Sequence, residues 1–301
     1  MLHRHQVIPV VLLAAVLAAP AAASAQVDER TLYVSVIDEA GAPVTDVSPA
    51  DLVVKEDGLT REVLRVAPAT TPLQVAVLVD NSIAARDDIA NLRDGLKSFV
   101  ATLAGKHELS LVAIADRPTL LVDSTPDLKA LERGIGRIFA QPESGTYLLD
   151  ALVDTTKGFK KREARRPVIV AVLIEAAREF SNPSPERVID DLKSSYARFE
   201  AMVVTSPGSA SMSMSTREGR DRAQVLDRGP SSTGGRRQDL LSSMGLSDRL
   251  KLLAAQLDQQ VEVVYARPKT LIPPSAVTVS STRAGTTASG VAGRPKAQAR
   301  P

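Results

Sequence analysis

Two apolar runs constrain this chain most: "LQVAVLV" at residues 73–79 and "PVIVAVLI" at residues 167–174. A strand that is apolar at nearly every position has both faces covered, which is the situation of a parallel strand between two helix layers. Segments of helical spacing surround these runs. Ile89, Leu92, Leu96, Phe99, Val100 and Leu103 share one face, as do Leu128, Leu131, Ile135 and Ile138. "TYLLDALVDTTKGF" reads as a further helix, and "SPERVIDDLKSSYARF" as one capped by Ser184 with Pro185 at its first position. "ELSLVAIAD" with its partner "PTLLVD", and later "EAMVVT", read as strands. "SDRLKLLAAQLDQQ" gives the last helix and "VEVVYARP" the last strand of the series. Alternating strands and helices predict an α/β fold with a mostly parallel sheet and helices on both faces.

The flanks differ from this pattern. Residues 1–25 combine a short basic start (His3, Arg4, His5), an apolar run and the small residues Ala23-Ser24-Ala25. That is the pattern of a cleaved secretory signal, with an uncleaved anchor helix as the alternative. It predicts a secreted or periplasmic protein without a membrane span after cleavage. Residues 26–70 read as a small β-rich module with a hairpin turn at Asp57-Gly58. The module is too short to hold a core alone and is expected to pack on the main domain, residues 71–268. Residues 206–237, rich in Ser, Met, Gly and Arg, read as a flexible insertion; residues 269–301 read as a largely disordered tail with one edge strand.

Composition excludes several function classes. There is no cysteine, hence no disulfide, thiolate nucleophile or cysteine metal site. The net charge is +2 and aromatics are 3% of the chain, so the basic, aromatic surface that single-stranded nucleic acid needs is missing. No Gly-x-Ser-x-Gly elbow or P-loop occurs, and Gly134 and Gly136 fall inside an amphipathic helix rather than after a strand. His107, the one histidine after the leader, is expected as an exposed structural residue. The basic run at residues 160–166 reads as a solvated loop.

In an open α/β sheet, ligands bind outside the carboxyl ends of the strands. Three polar features fall there: Asp80-Asn81-Ser82, Thr146 just ahead of a helix, and Glu175. Two readings stand for them. Asp, Asn, Ser and Thr are preferred helix caps and Glu175 can be a solvated strand-end acid; alternatively the three features form one site.

The ordered set Asp80, Ser82, Gly145, Thr146, Leu148, Asp150, Ala151 and Leu152 resembles the von Willebrand factor type A domain, and the flanks resemble its secreted bacterial branch. The resemblance implies a Rossmann-like sheet and a non-enzymatic role in protein binding or adhesion. It also implies a metal-ion-dependent adhesion site built from Asp80, Ser82, Thr146 and Glu175, holding Mg²⁺ or Mn²⁺. A partner-binding rim of Asn81, Ala84, Ser144, Tyr147 and Arg178 would surround it. The match is uneven. Ala84 replaces a ligand serine, and Glu175 replaces an aspartate, carrying its carboxylate about 1.5 Å further out. The alternative is a structural component of the cell envelope with no working metal site.

Overall fold

The computed structural model describes residues 27–294, apart from 270, 271 and 273. The expected leader, residues 1–25, lies outside the described residues. The amino-terminal part supplies β1 (Val27–Asp38), β2 (Leu52–Glu56), β3 (Leu59–Arg61) and β4 (Val63–Pro68). Next come β5 (Gln74–Val79), α1 (Ile89–Leu103), β6 (Glu108–Ala113), β7 (Thr119–Thr125), α2 (Leu128–Gly136), α3 (Leu148–Lys161) and β8 (Pro167–Ile174). Then follow α4 (Pro185–Ser194), β9 (Arg198–Val204), α5 (Ser209–Ser213), α6 (Arg217–Ser232), β10 (Arg237–Leu240) and α7 (Leu246–Asp258). The chain closes with β11 (Val261–Pro268), β12 (Val277–Ser281) and β13 (Thr286–Ala292).

The main sheet has six strands in the order β10-β9-β8-β5-β6-β7. All pairings are parallel except β6 with β7, the short return strand. The two apolar runs, β5 and β8, lie side by side at its centre, with Val79 opposite Val172. Their alternating residues serve two cores. Val75, Val77, Val168, Val170 and Val172 pack with Leu96 and Phe99 of α1 and with Leu250 and Leu253 of α7. On the other face Leu78, Ile169, Ala171 and Leu173 meet Leu152 of α3, Leu192 of α4 and Leu226 of α6. The expected α/β architecture is therefore present, helices on both faces included. Ser184 caps α4 by accepting from Arg187 N at 3.4 Å, with Pro185 next.

Three expectations change. β11 does not extend the main sheet: it pairs antiparallel with β1 and β4 in a second sheet ordered β13-β1-β11-β4. The sixth strand of the main sheet is instead the short polar β10, which pairs with β9. Residues 206–237 are not a flexible insertion. They carry α5 and the four-turn helix α6, which buries Arg222, Val225 and Leu226. Nor is the described part of the tail, up to residue 294, largely disordered: β12 pairs with β2, and β13 pairs with β1 from Leu32 to Asp38. The physical reason for the last is the shortage of core foreseen for the amino-terminal module. β1 to β4 complete their core by recruiting β11, β12 and β13 around Val34, Val36, Val54, Val263 and Tyr265.

The module is locked to the main sheet by buried charge. Arg198 and Glu200, each 1% exposed, pair at 2.6 Å, and Arg198 reaches Ser289 of β13. Arg166 spans Thr71 O, Leu257 O and the Gln260 side chain; burial lowers its pKa to about 10. No helix among the described residues is long and apolar enough to cross a membrane.

Candidate functional site: the carboxyl-end rim

Strand order reverses between β5 and β8. From β5 the chain moves to β6 and β7 on one side, then crosses to β8, β9 and β10 on the other. Such a switch point leaves a crevice at the carboxyl ends of the two central strands. Asp80 immediately follows β5 at this point and is fully buried. Its Oδ1 accepts from Ser82 N at 2.9 Å and its Oδ2 from Ile174 N at 3.1 Å, so the carboxylate staples the two strand exits together. Ser82 is also fully buried, at the head of a 3₁₀ turn (Ile83–Asp88), but makes no capping bond. Its Oγ is left without a hydrogen-bond partner.

Thr146 reaches the same place from the loop before α3. Its backbone bridges Ala115 and Glu179, with Thr146 N donating to Arg178 O at 2.7 Å. It does not cap α3; its hydroxyl donates to Glu179 Oε2 at 2.8 Å. Gly145 makes this approach possible, since a Cβ there would lie 2.3 Å from the Phe180 ring and 2.4 Å from Arg178 O. Glu179 is buried, and burial pushes its carboxyl up from the usual range. Opposing that shift are Arg222, whose Nε lies 3.9 Å away, and hydrogen bonds from Ser181 and Thr146.

The remaining expected site residues fall elsewhere. Glu175 turns away toward α5 and β10: Oε2 accepts from Ser209 Oγ at 2.5 Å, and Oε1 lies 3.5 Å from Arg237 Nη2. A nearby guanidinium and hydroxyl hold it there. Asn81 is buried rather than on a rim, accepting from Ala115 N and donating to Phe139 O. Ala84 packs half-buried against the core. Ser144 is half-buried and bonds to Gln141 O within its own loop. Tyr147 and Arg178 do reach the surface, both beside Phe180. The Tyr147 and Phe180 ring centroids are 6.0 Å apart, and the Arg178 guanidinium lies 5.3 Å from the centre of the Phe180 ring.

The expected ligand set for a divalent ion is incomplete here. Mg²⁺ takes six oxygens in near-octahedral geometry. Of the expected ligands, only Ser82 has a side-chain oxygen with no hydrogen-bond partner. Glu175 is turned to Ser209 and Arg237, and Ala84 has no side-chain oxygen, so two positions of the expected set are lost; the Asp80 carboxylate already accepts from two backbone amides, and the Thr146 hydroxyl donates to Glu179. Among the described residues no group of three or more acidic or histidine side chains is arranged to hold a metal.

Glu179, Arg222, Phe139 and Phe180 escape the sequence reading. Glu179 follows Glu175 by four residues at the strand exit, the one available hint. Arg222 sits in a segment read as unstructured, and an exposed phenylalanine has no sequence mark.

His107 lies at the opposite end of the sheet and is buried, not exposed. Its Nδ1 accepts from Leu73 N at 3.2 Å and its Nε2 meets Asp258 at 3.0 Å. No other histidine is present among the described residues, so the rim holds no imidazole base.

No protein-family model and no curated protein matches the chain. Solved structures do match. A von Willebrand factor type A protein from Catenulispora acidiphila is 10% identical with a TM-score of 0.47, over 90% of this chain and 74% of that one. Proximal thread matrix protein 1 from the mussel byssus, with a zinc-occupied MIDAS motif, is 14% identical with a TM-score of 0.45. That match covers 68% of this chain and 50% of the mussel protein. The conserved hypothetical protein BatB from Bacteroides thetaiotaomicron is 12% identical with a TM-score of 0.45, over 61% of this chain and 98% of its own.

Proposed function

We propose that the chain is an exported, non-enzymatic protein-binding module of the von Willebrand factor A type, which grips its partner through side chains at the strand ends without a metal ion. One observation carries this reading. Nine large apolar side chains stand exposed among the described residues, and five of them lie on segments at this end of the sheet: Phe139, Phe180, Met214, Leu241 and Met244. They follow α2, β8, β9 and β10, and so come from four separate segments. Aromatic residues, Met and Arg are the types enriched at interaction sites. Two of the aromatics carry guanidinium groups: Arg93 lies 4.3 Å from the Phe139 ring centre, and Arg178 covers Phe180. Export rests on the leader at residues 1–25.

The reading is tested by capture from cell-envelope extract on the immobilised full chain, with Mg²⁺ and with EDTA. A specific partner is retained equally in both, and Phe180→Ala or Leu241→Ala lowers its retention about tenfold or more, as loss of an interface anchor does. Capture that needs Mg²⁺ and ignores both substitutions would overturn it. Absence of any specific partner would favour the alternative of a structural envelope component.

A further inference from the structure

A fixed positive charge stands beneath the rim. Arg222, on α6, is 3% exposed. Its Nη1 donates to Ala177 O at 2.9 Å and Glu175 O at 3.3 Å, and its Nη2 donates to Ile174 O at 2.9 Å. Its Nε faces Glu179 Oε2 at 3.9 Å. Three carbonyls and one carboxylate thus gather around one guanidinium. Glu179 passes the connection on, accepting from Ser181 N at 3.2 Å and from the Thr146 hydroxyl. Phe180 N closes the circuit by donating to Thr146 O at 3.0 Å.

We propose that Arg222 is a built-in cation that organises the rim in place of an exchangeable metal ion. The inference rests on the ion-independent reading above and explains how that reading works. Carbonyl and carboxylate oxygens are what either kind of cation attracts. A guanidinium offers five donors in a rigid fork and stays charged, so it can hold several oxygens at fixed angles. Unlike Mg²⁺, it does not dissociate and has no open coordination position for a partner carboxylate. Recognition therefore moves outward to Phe180 and Arg178, which the ordered loop displays in one arrangement. Preorganisation of this kind lowers the ordering cost of binding. Arg222 is a positioning residue: it reaches the partner only through the loop it holds.

The test is hydrogen exchange on the full chain, read at residues 144–148 and 176–182 and compared with residues 75–79 in the core. Arg222→Ala should speed exchange in both loops about tenfold or more, because a buried carboxylate loses its counter-charge. The core segment should keep its rate, and millimolar methylguanidinium should restore the loops in this variant alone. Arg222→Lys and Arg222→Met separate charge from shape, and serve if the alanine variant does not fold. Lysine should hold the loops better than methionine. Loops as protected in Arg222→Met as in Arg222→Lys, or unchanged in Arg222→Ala, would overturn the proposal. The readout is loop order rather than partner capture, so this failure is distinguishable from failure of the rim as a binding surface.

Discussion

His107 fixes a corner of the sheet far from the rim, and its chemistry has a pH signature. Burial lowers its pKa below the usual 6.5, against the opposing pull of Asp258. Nδ1 must stay unprotonated to accept from Leu73 N. The unfolded chain therefore binds the proton more readily than the folded one. Its contribution to stability is present above about pH 6.5 and is lost as pH falls from there toward the depressed folded value. His107→Gln retains an acceptor and a donor without a titrating group. Urea unfolding from pH 7.5 down to 5 should show a flatter profile for this variant than for the wild type; parallel profiles would contradict the assignment. At the rim, Asp80, Ser82 and Thr146 are legible in the sequence because they form a short ordered pattern, and the fold brings all three to the switch point. The fate of Glu175 is not legible. Its partners, Ser209 and Arg237, lie 34 and 62 residues further along the chain. Glu179 and Arg222 are hidden for the same reason.

Among the elements, α6 shows why a helix can be missed. Its buried positions are Gly219, Arg222, Val225, Leu226, Gly229 and Pro230, a sound helical spacing carried mostly by residues that do not register as apolar. Gly229 lets Phe199 of β9 approach closely. β10 is missed because it is only four residues long and polar. β11, by contrast, follows a helix and looks like one more parallel strand. Its burial alternates in part, Glu262 and Ala266 being less covered than their neighbours, as suits an antiparallel pairing. The turn into β10 gives a direct test. A Cβ on Gly235 would sit 1.8 Å from Phe199 O, a backbone atom that cannot swing aside. Gly235→Ala should destabilise the protein by about 1–3 kcal/mol, visible as a lowered melting temperature. An unchanged melt would mean that β10 is not seated against β9 as described.

For the whole molecule, both described ends of the chain meet in one β module, and that module is bolted to the main sheet by Arg166 and by Arg198, which reaches Ser289 of β13. The central sheet was predictable because two almost wholly apolar runs have few other ways to be covered. The module was only half predictable: its own strands are legible, but nothing local tells β13 to pair with β1 across some 250 residues. The result is a two-sheet base beneath the rim, with the charge that orders the rim supplied from within. The measurement that bears most directly on this account is the melting temperature of the whole protein in EDTA and across a titration of Mg²⁺ and Mn²⁺. A domain that binds an ion in its folded state gains stability as ion concentration rises above the dissociation constant. The melting temperature should stay the same throughout, for the wild type and for Ser82→Ala relative to its own EDTA control. A saturable rise in the wild type that Ser82→Ala abolishes would contradict it.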